Sequence, residues 1–140
     1  MMHSILVVNP KGGSGKTTIA TNLAGYFAAQ GKRVVLADMD RQQSTATWLA
    51  RRPEKLPHIK AWTAATDKKE IHAFDAHWSV VDSPVGVHGE KLTSLMRRVE
   101  LVVVPVAPSA FAMEATKVFL AELLAEKPVK NGERQVVVID

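Results

Sequence analysis

Short apolar runs of strand length alternate along this chain with stretches whose apolar residues recur at helical spacing. Ser4–Val8 is the first such run, and Ile19, Ala20, Leu23, Ala24 and Phe27 then predict a helix from Thr17 to about Gln30. Gly31 supplies its stop, with Lys32 and Arg33 beside the negative helix end. Val34–Ala37 is the second strand and runs into Asp38-Met39-Asp40. Ser44 or Thr45 caps a short helix to about Arg51, limited by Pro53. Residues 52–57 read as loop and Ile59–Trp62 as a short strand. Asp67 and Glu70 have capping-box spacing and open a helix to about Phe74. Trp78–Val81 is a buried strand, followed by a helix from Glu90 to about Val99. Leu101–Val106 is apolar enough to be covered on both faces. Pro105 lies near its end, where a missing ladder hydrogen bond is tolerated. Ser109 caps a long helix to about Glu126, with Phe111, Ala115, Val118, Phe119 and Leu123 on its core face. Gln135–Ile139 is one more buried strand.

Strand, helix and strand at this spacing give right-handed crossovers, so the fold class is α/β, a parallel β-sheet flanked by helices. Functional side chains then belong at the carboxyl ends of the strands. The chain of 140 residues fits one domain spanning 1–140. A strand as apolar as Gln135–Ile139 is normally interior and followed by further elements. The expectation is therefore the front portion of a longer α/β domain.

The chemistry is concentrated between the first strand and the first helix, in Asn9-Pro-Lys-Gly-Gly-Ser-Gly-Lys-Thr-Thr18. A glycine-rich turn there lets successive N–H groups face one phosphate, and the helix N-terminus adds its own donors and positive dipole end. Lys16 contributes a full charge and Thr17 a hydroxyl for magnesium. A strict phosphate-loop pattern fails, because Pro10 occupies the place of the first glycine and Lys11 adds a second lysine. The bland alternative, a flexible Gly/Ser turn with solvated lysines, does not account for the strand before and the Lys-Thr-Thr ending after.

Acidic residues at strand ends extend this picture. Asp82 follows Trp78–Val81, and Asp38 and Asp40 follow the second strand. Any one of them alone reads as a turn or cap residue, but together with the loop they point to holding a metal or positioning water. If the strand continues through Asp38 and Asp40, they share a face; otherwise Asp40 belongs to the loop. His3, His58, His72, His77 and His88 have no metal-ligand spacing and read as surface. Trp48, Trp62 and Trp78 are scattered and read as packing residues.

The hydrophobic fraction of 46% and charged fraction of 23% are ordinary for a globular chain. No apolar run approaches the roughly 20 residues of a membrane span. There is no cysteine, which removes disulfide and thiolate chemistry and favours the cytosol. A net charge of +4 with a pI near 9.5 favours polyanions only weakly, because the basic pairs Arg51-Arg52, Lys68-Lys69 and Arg97-Arg98 read as helix surface.

These motifs carry a family resemblance. Lys11-Gly-Gly-Ser-Gly-Lys-Thr-Thr18 resembles the deviant Walker A motif of the ParA/MinD ATPases. Val35-Leu-Ala-Asp-Met-Asp-Arg-Gln-Gln-Ser44 resembles their second motif, with Arg41 in place of the usual proline. Val80-Val-Asp-Ser-Pro84 resembles their Walker B, and Val103–Ser109 the segment after it. Asn9-Pro10 and Trp48 are most similar to the small plasmid-partition ParA proteins of the ParF type. The resemblance implies a P-loop NTPase fold of the SIMIBI type, apparently lacking its C-terminal part.

It also implies ATP/ADP and Mg2+ as cofactors, bound by Lys11, Gly12, Gly13, Ser14, Gly15, Lys16, Thr17 and Thr18. Lys11, Lys16 and Asp40 are catalytic by resemblance: Lys11 reaches across a dimer, Lys16 holds the β- and γ-phosphates, and Asp40 orients the attacking water. Thr17, Asp38 and Asp82 belong at the metal. The implied activity is weak, partner-stimulated ATP hydrolysis by a homodimer that forms on ATP binding. The implied partners are non-specific DNA and a ParB-like centromere-binding protein, in plasmid or chromosome segregation. The implied place is the bacterial cytoplasm at the nucleoid, with no membrane. Three other readings compete: a MinD-like membrane switch, which needs an amphipathic C-terminal helix; an iron–sulfur reductase, which needs cysteines; and a fragment that only scaffolds.

Overall fold

The computed structural model describes residues 2–9, 15–40, 43–63, 75–126, 129, 132 and 134–139. The strands are β1 (His3–Val7), β2 (Val34–Asp38), β3 (Lys60–Thr63), β4 (Trp78–Asp82), β5 (Leu101–Pro105) and β6 (Gln135–Ile139). The helices are α1 (Lys16–Ala29), α2 (Ser44–Ala50), α3 (Gly89–Arg97) and α4 (Ala110–Ala125). The helix expected from Asp67 to Phe74 lies outside the described residues.

All strand pairs are parallel and the sheet order is β3-β2-β4-β1-β5-β6. Because side chains alternate along a strand, each apolar strand feeds both faces. Ile5, Val7, Val34, Leu36, Val80 and Val103 pack on α1 and α2, while Leu6, Val35, Val81, Val102 and Val104 pack on α3 and α4. On α1 the contact stripe is Ala20, Ala24 and Ala28, with Ile19, Leu23 and Phe27 closing around it. The helix ends as its sequence requires. Gly31 takes φ 79°, its N–H reaches the Ala28 carbonyl at 3.0 Å, and the Lys32 N–H reaches that of Phe27 at 3.1 Å. Trp62 joins the core and Trp78 stacks on Phe27.

The lower ends of β2 and β4 are tied by a reciprocal pair. The His77 N–H donates to the Arg33 carbonyl at 2.9 Å, and the Arg33 N–H donates to His77 Nδ1 at 2.9 Å.

Three expectations need correction. Phe111 and Val118 of α4 are 82% and 72% exposed, and the buried stripe is Ala112, Thr116, Phe119 and Leu123. Apolar residues surround this helix, and the threonine within the true stripe disguised it. The strand β6 is an edge of the sheet among the described residues, with Val137 and Val138 exposed, so its composition did not report burial. Neither Ser44 nor Thr45 caps α2: Ser44 is already helical, the residue before it is Gln43 at φ 52°, and the capping acceptor is a carboxylate of β2. Ser109 does cap α4, its Oγ accepting the Ala112 N–H at 3.1 Å.

Candidate functional site

The strand β1 delivers the chain to the carboxyl edge of the sheet at Val8 and Asn9. Asn9 is buried, and its Nδ2 donates to the Pro105 carbonyl at the end of β5, fixing the chain's exit from the sheet. Lys11, Gly12, Gly13 and Ser14 lie outside the described residues. Gly15 precedes α1 with φ 90°, where no neighbour crowds a Cβ, so the left-handed backbone rather than space requires glycine. Thr17 is partly buried in the first turn of α1 and Thr18 is exposed.

Lys16 is the first residue of α1, yet its side chain turns inward and only 5% of the residue is exposed. Its ammonium donates to Asp82 Oδ1, to the Ser83 carbonyl at 2.7 Å and to Asp40 Oδ2 at 3.3 Å. Three acceptors match the three N–H bonds of the group. Asp82 is wholly buried at the end of β4 and in register with Asp38 at the end of β2. Thr17 Oγ1 lies 3.4 Å from Asp82 Oδ2. The sheet and the start of α1 thus bring together Lys16, Thr17, Asp38, Asp40 and Asp82, the first and last of them 66 positions apart in sequence.

The two residues of the Asp38-Met39-Asp40 stretch part company. The strand β2 stops at Asp38, and Asp40 belongs to the loop. Both Asp38 oxygens accept backbone N–H groups, Oδ1 from Asp40 at 2.9 Å and Oδ2 from Ala46 at 3.0 Å. Asp38 therefore holds the loop and the start of α2 together, an Asx turn and a helix cap in one side chain.

Burial pushes the Asp82 carboxyl above its ordinary value. The hydrogen bond and charge of Lys16 pull it partly back, and the nearby Asp38 and Asp40 push it up again. A second cation near Asp82 would relieve the same strain. The donor set fits magnesium: a threonine hydroxyl and a carboxylate are hard oxygen ligands, and Ser83 Oγ is buried with no hydrogen-bond partner among the described residues. Those residues contain no group of three His, Asp or Glu able to hold a metal by itself.

Sequence reading quoted Asn9 and Ser83 within its motifs but gave neither a role at this site. The signal available for each was its place, a polar residue directly after an apolar strand at the edge where the loop arrives. Of the histidines, His3, His58 and His88 are exposed, with His3 Nδ1 3.0 Å from Glu100 Oε2, His77 is half-buried, and His72 lies outside the described residues. No described helix is long and apolar enough to cross a membrane.

Known proteins share sequence and fold with this chain. The chromosome-partitioning ATPase Soj of Thermus thermophilus is 51% identical over 54 residues, 39% of this chain and 22% of Soj. A plasmid partition protein from Borrelia burgdorferi superposes with a TM-score of 0.75 at 16% identity, over 98% of this chain and 77% of that one. The pNOB8 ParA bound to nonspecific DNA gives a TM-score of 0.71 at 18% identity, over 91% of this chain and 61% of that one. At such identities the two structures speak for the fold. These curated relatives are longer proteins, and the chain spans at most about half the length of those it matches most fully. Residues 5–138 match the CobQ/CobB/MinD/ParA nucleotide binding domain, and the chain belongs to that family.

Proposed function

We propose that this chain is the nucleotide-binding domain, residues 1–140, of a ParA-type partition ATPase that binds and hydrolyses ATP. The observation that carries the reading is the meeting of Lys16 and Thr17 in the first turn of α1 with Asp82 at the end of β4 and Asp40 in the loop after β2. A lysine and a helix N-terminus suit phosphate, and carboxylate and hydroxyl oxygens suit its magnesium.

The residue roles are those that the family resemblance implies. Lys16 binds the β- and γ-phosphates, and Gly12, Gly13, Ser14, Gly15 and Thr18 line the phosphate path. Thr17 and Asp82 hold magnesium, which when bound neutralises phosphate charge. Asp40, two residues beyond β2 in the loop, accepts a hydrogen bond from the attacking water and orients it. Asp38 serves the metal site through the loop it fixes, since backbone groups take both its oxygens. Lys11 completes the site of a second copy, so hydrolysis needs a homodimer. Such a division of labour suits phosphoryl transfer, where positioning and charge stabilisation supply most of the rate.

The relatives support a setting in DNA segregation: Soj is a chromosome-partitioning ATPase, and the pNOB8 ParA structure contains nonspecific DNA. The whole protein would then act in the bacterial cytoplasm at the nucleoid, with a ParB-like protein stimulating it. Calorimetric titration with ADP and ATP in magnesium tests the site. Binding is expected for the parent and lost in Lys16→Ala; unchanged affinity in that variant would remove Lys16 from the phosphate site. DNA retention is expected to fall steeply with salt, and retention without salt dependence would speak against phosphate contacts.

A further inference from the structure

Lys16 is more than a phosphate ligand waiting at a helix end. All three of its N–H bonds are satisfied by protein acceptors, the carboxylates of Asp82 and Asp40 and the carbonyl of Ser83. The ammonium and the Asp82 carboxylate are both almost fully buried, with side-chain exposures of 6% and 0%. A phosphate oxygen can accept from Lys16 only if one or more of these bonds gives way. Breaking the contact with Asp82 leaves a carboxylate that burial already disfavours as an anion and that stands in register beside Asp38. A buried charge stripped of its partner is strongly destabilising.

We infer that nucleotide binding at this site is an exchange of cations on Asp82. Lys16 is latched to Asp82 and Asp40, and it transfers to the phosphates only as a divalent cation takes its place at the Asp82 carboxylate. Thr17 Oγ1, 3.4 Å from Asp82 Oδ2, and Ser83 Oγ, buried and without a hydrogen-bond partner among the described residues, supply the polar surroundings for that replacement. Nucleotide and divalent cation would then bind as a coupled pair, and the latch would discriminate against nucleotide that arrives alone. The inference rests on the phosphate-site reading above and adds an energetic link between its parts.

The latch makes a prediction opposite in sign to ordinary loss of a metal ligand. Calorimetric titration with ADP, in magnesium and in excess chelator, is performed on the parent chain, Asp82→Asn, Asp40→Asn and Asp38→Asn. The parent is expected to lose at least about tenfold in affinity when magnesium is chelated. In chelator, Asp82→Asn is expected to bind ADP about tenfold more tightly than the parent, and Asp40→Asn a smaller factor more tightly. Asp38→Asn removes a carboxylate of the same cluster that does not touch Lys16, so it should show no gain. Should Asp82→Asn fail to fold, Asp40→Asn against Asp38→Asn decides alone. No gain from releasing Lys16, or an equal gain in Asp38→Asn, overturns the latch in favour of simple charge repulsion. A parent that binds no ADP even with magnesium overturns the nucleotide site itself, a result distinct from either.

Discussion

Asp38 accepts the backbone N–H of Asp40 at 2.9 Å, so the first acidic residue of this stretch decides where the second one goes. Its other oxygen holds the Ala46 N–H, and one buried carboxylate thus sets both the loop and the start of α2. Asp38→Ala should cost about 2 kcal/mol of stability, the loss of a cap and of a buried acceptor together. Asp38→Asn, which keeps one acceptor oxygen, should cost less. Urea unfolding of the two variants measures the difference, and in an active assembly the rate should fall more than the nucleotide affinity.

His77 gives the fold a pH dependence of known sign. Its pKa is lowered from 6.5, by burial first and then by the charges of Arg33 and Lys32, with Asp75 pulling the other way. The Arg33 N–H donates to His77 Nδ1, a bond only the unprotonated nitrogen can accept. The unfolded chain therefore takes up the proton at a higher pH than the folded one. This contribution is fully present above 6.5 and is lost as pH falls from there through the lowered folded value. His77→Asn, whose side-chain oxygen stands near the Nδ1 position, should flatten that part of the stability profile. Parallel urea titrations at pH 7.5 and about pH 5.5 would show it.

The face of α4 is open to a direct test. Leu123 is wholly buried and Val118 is 72% exposed on the same helix. Leu123→Ala should cost about 2–5 kcal/mol, as for other large-to-small core changes. Val118→Ala should stay within about 0.5 kcal/mol. Equal costs would mean that the helix is turned from the orientation described.

Two polar anchors should show separate losses. Ser109→Ala removes the acceptor for the Ala112 N–H and should lower stability by about 1 kcal/mol, with Ser109→Asp restoring most of it. Asn9→Ala leaves the buried Pro105 carbonyl without its side-chain donor and should cost about 1–3 kcal/mol. Since Asn9 stands at the entrance to the phosphate loop, that variant should also weaken ADP binding, which Ser109→Ala should not.

Much of this architecture was readable in the chain because local signals agreed. The Gly31 stop, the Ser109 cap and the short apolar runs each act over a few residues, and the structure places the ends of α1, α4 and the strands within a residue or two of them. The errors arose where the deciding contact is distant. Nothing local distinguishes Ala112, Thr116 and Phe119 from Phe111 and Val118 on a helix apolar all round; only the sheet beneath it does. The β6 strand reads as interior by composition, while its neighbours in space decide its exposure. At the site, the placement of Lys16 and Asp82 at the carboxyl edge of the sheet was legible from residue type and strand ends. Their direct bond was not, because β4 reaches β2 and β1 only through the sheet order. The turn from Asp38 to Asp40 was the intermediate case, a two-residue pattern left open between strand and loop.

The alanine stripe of α1 carries a consequence for how such a site tolerates change. Ala20, Ala24 and Ala28 leave the helix axis resting close against β1, β2 and β4, with no long side chain between them. Lys16 lies one turn before Ala20, so the depth of that seat sets how far the ammonium reaches below the rim of the sheet. A methyl group is thus the shim that levels cation against carboxylate. Thickening it at Ala20 would raise the whole front of the helix and lengthen the reach to Asp82 with every polar residue of the site unaltered. The site's tolerances are written partly in residues that bear no charge.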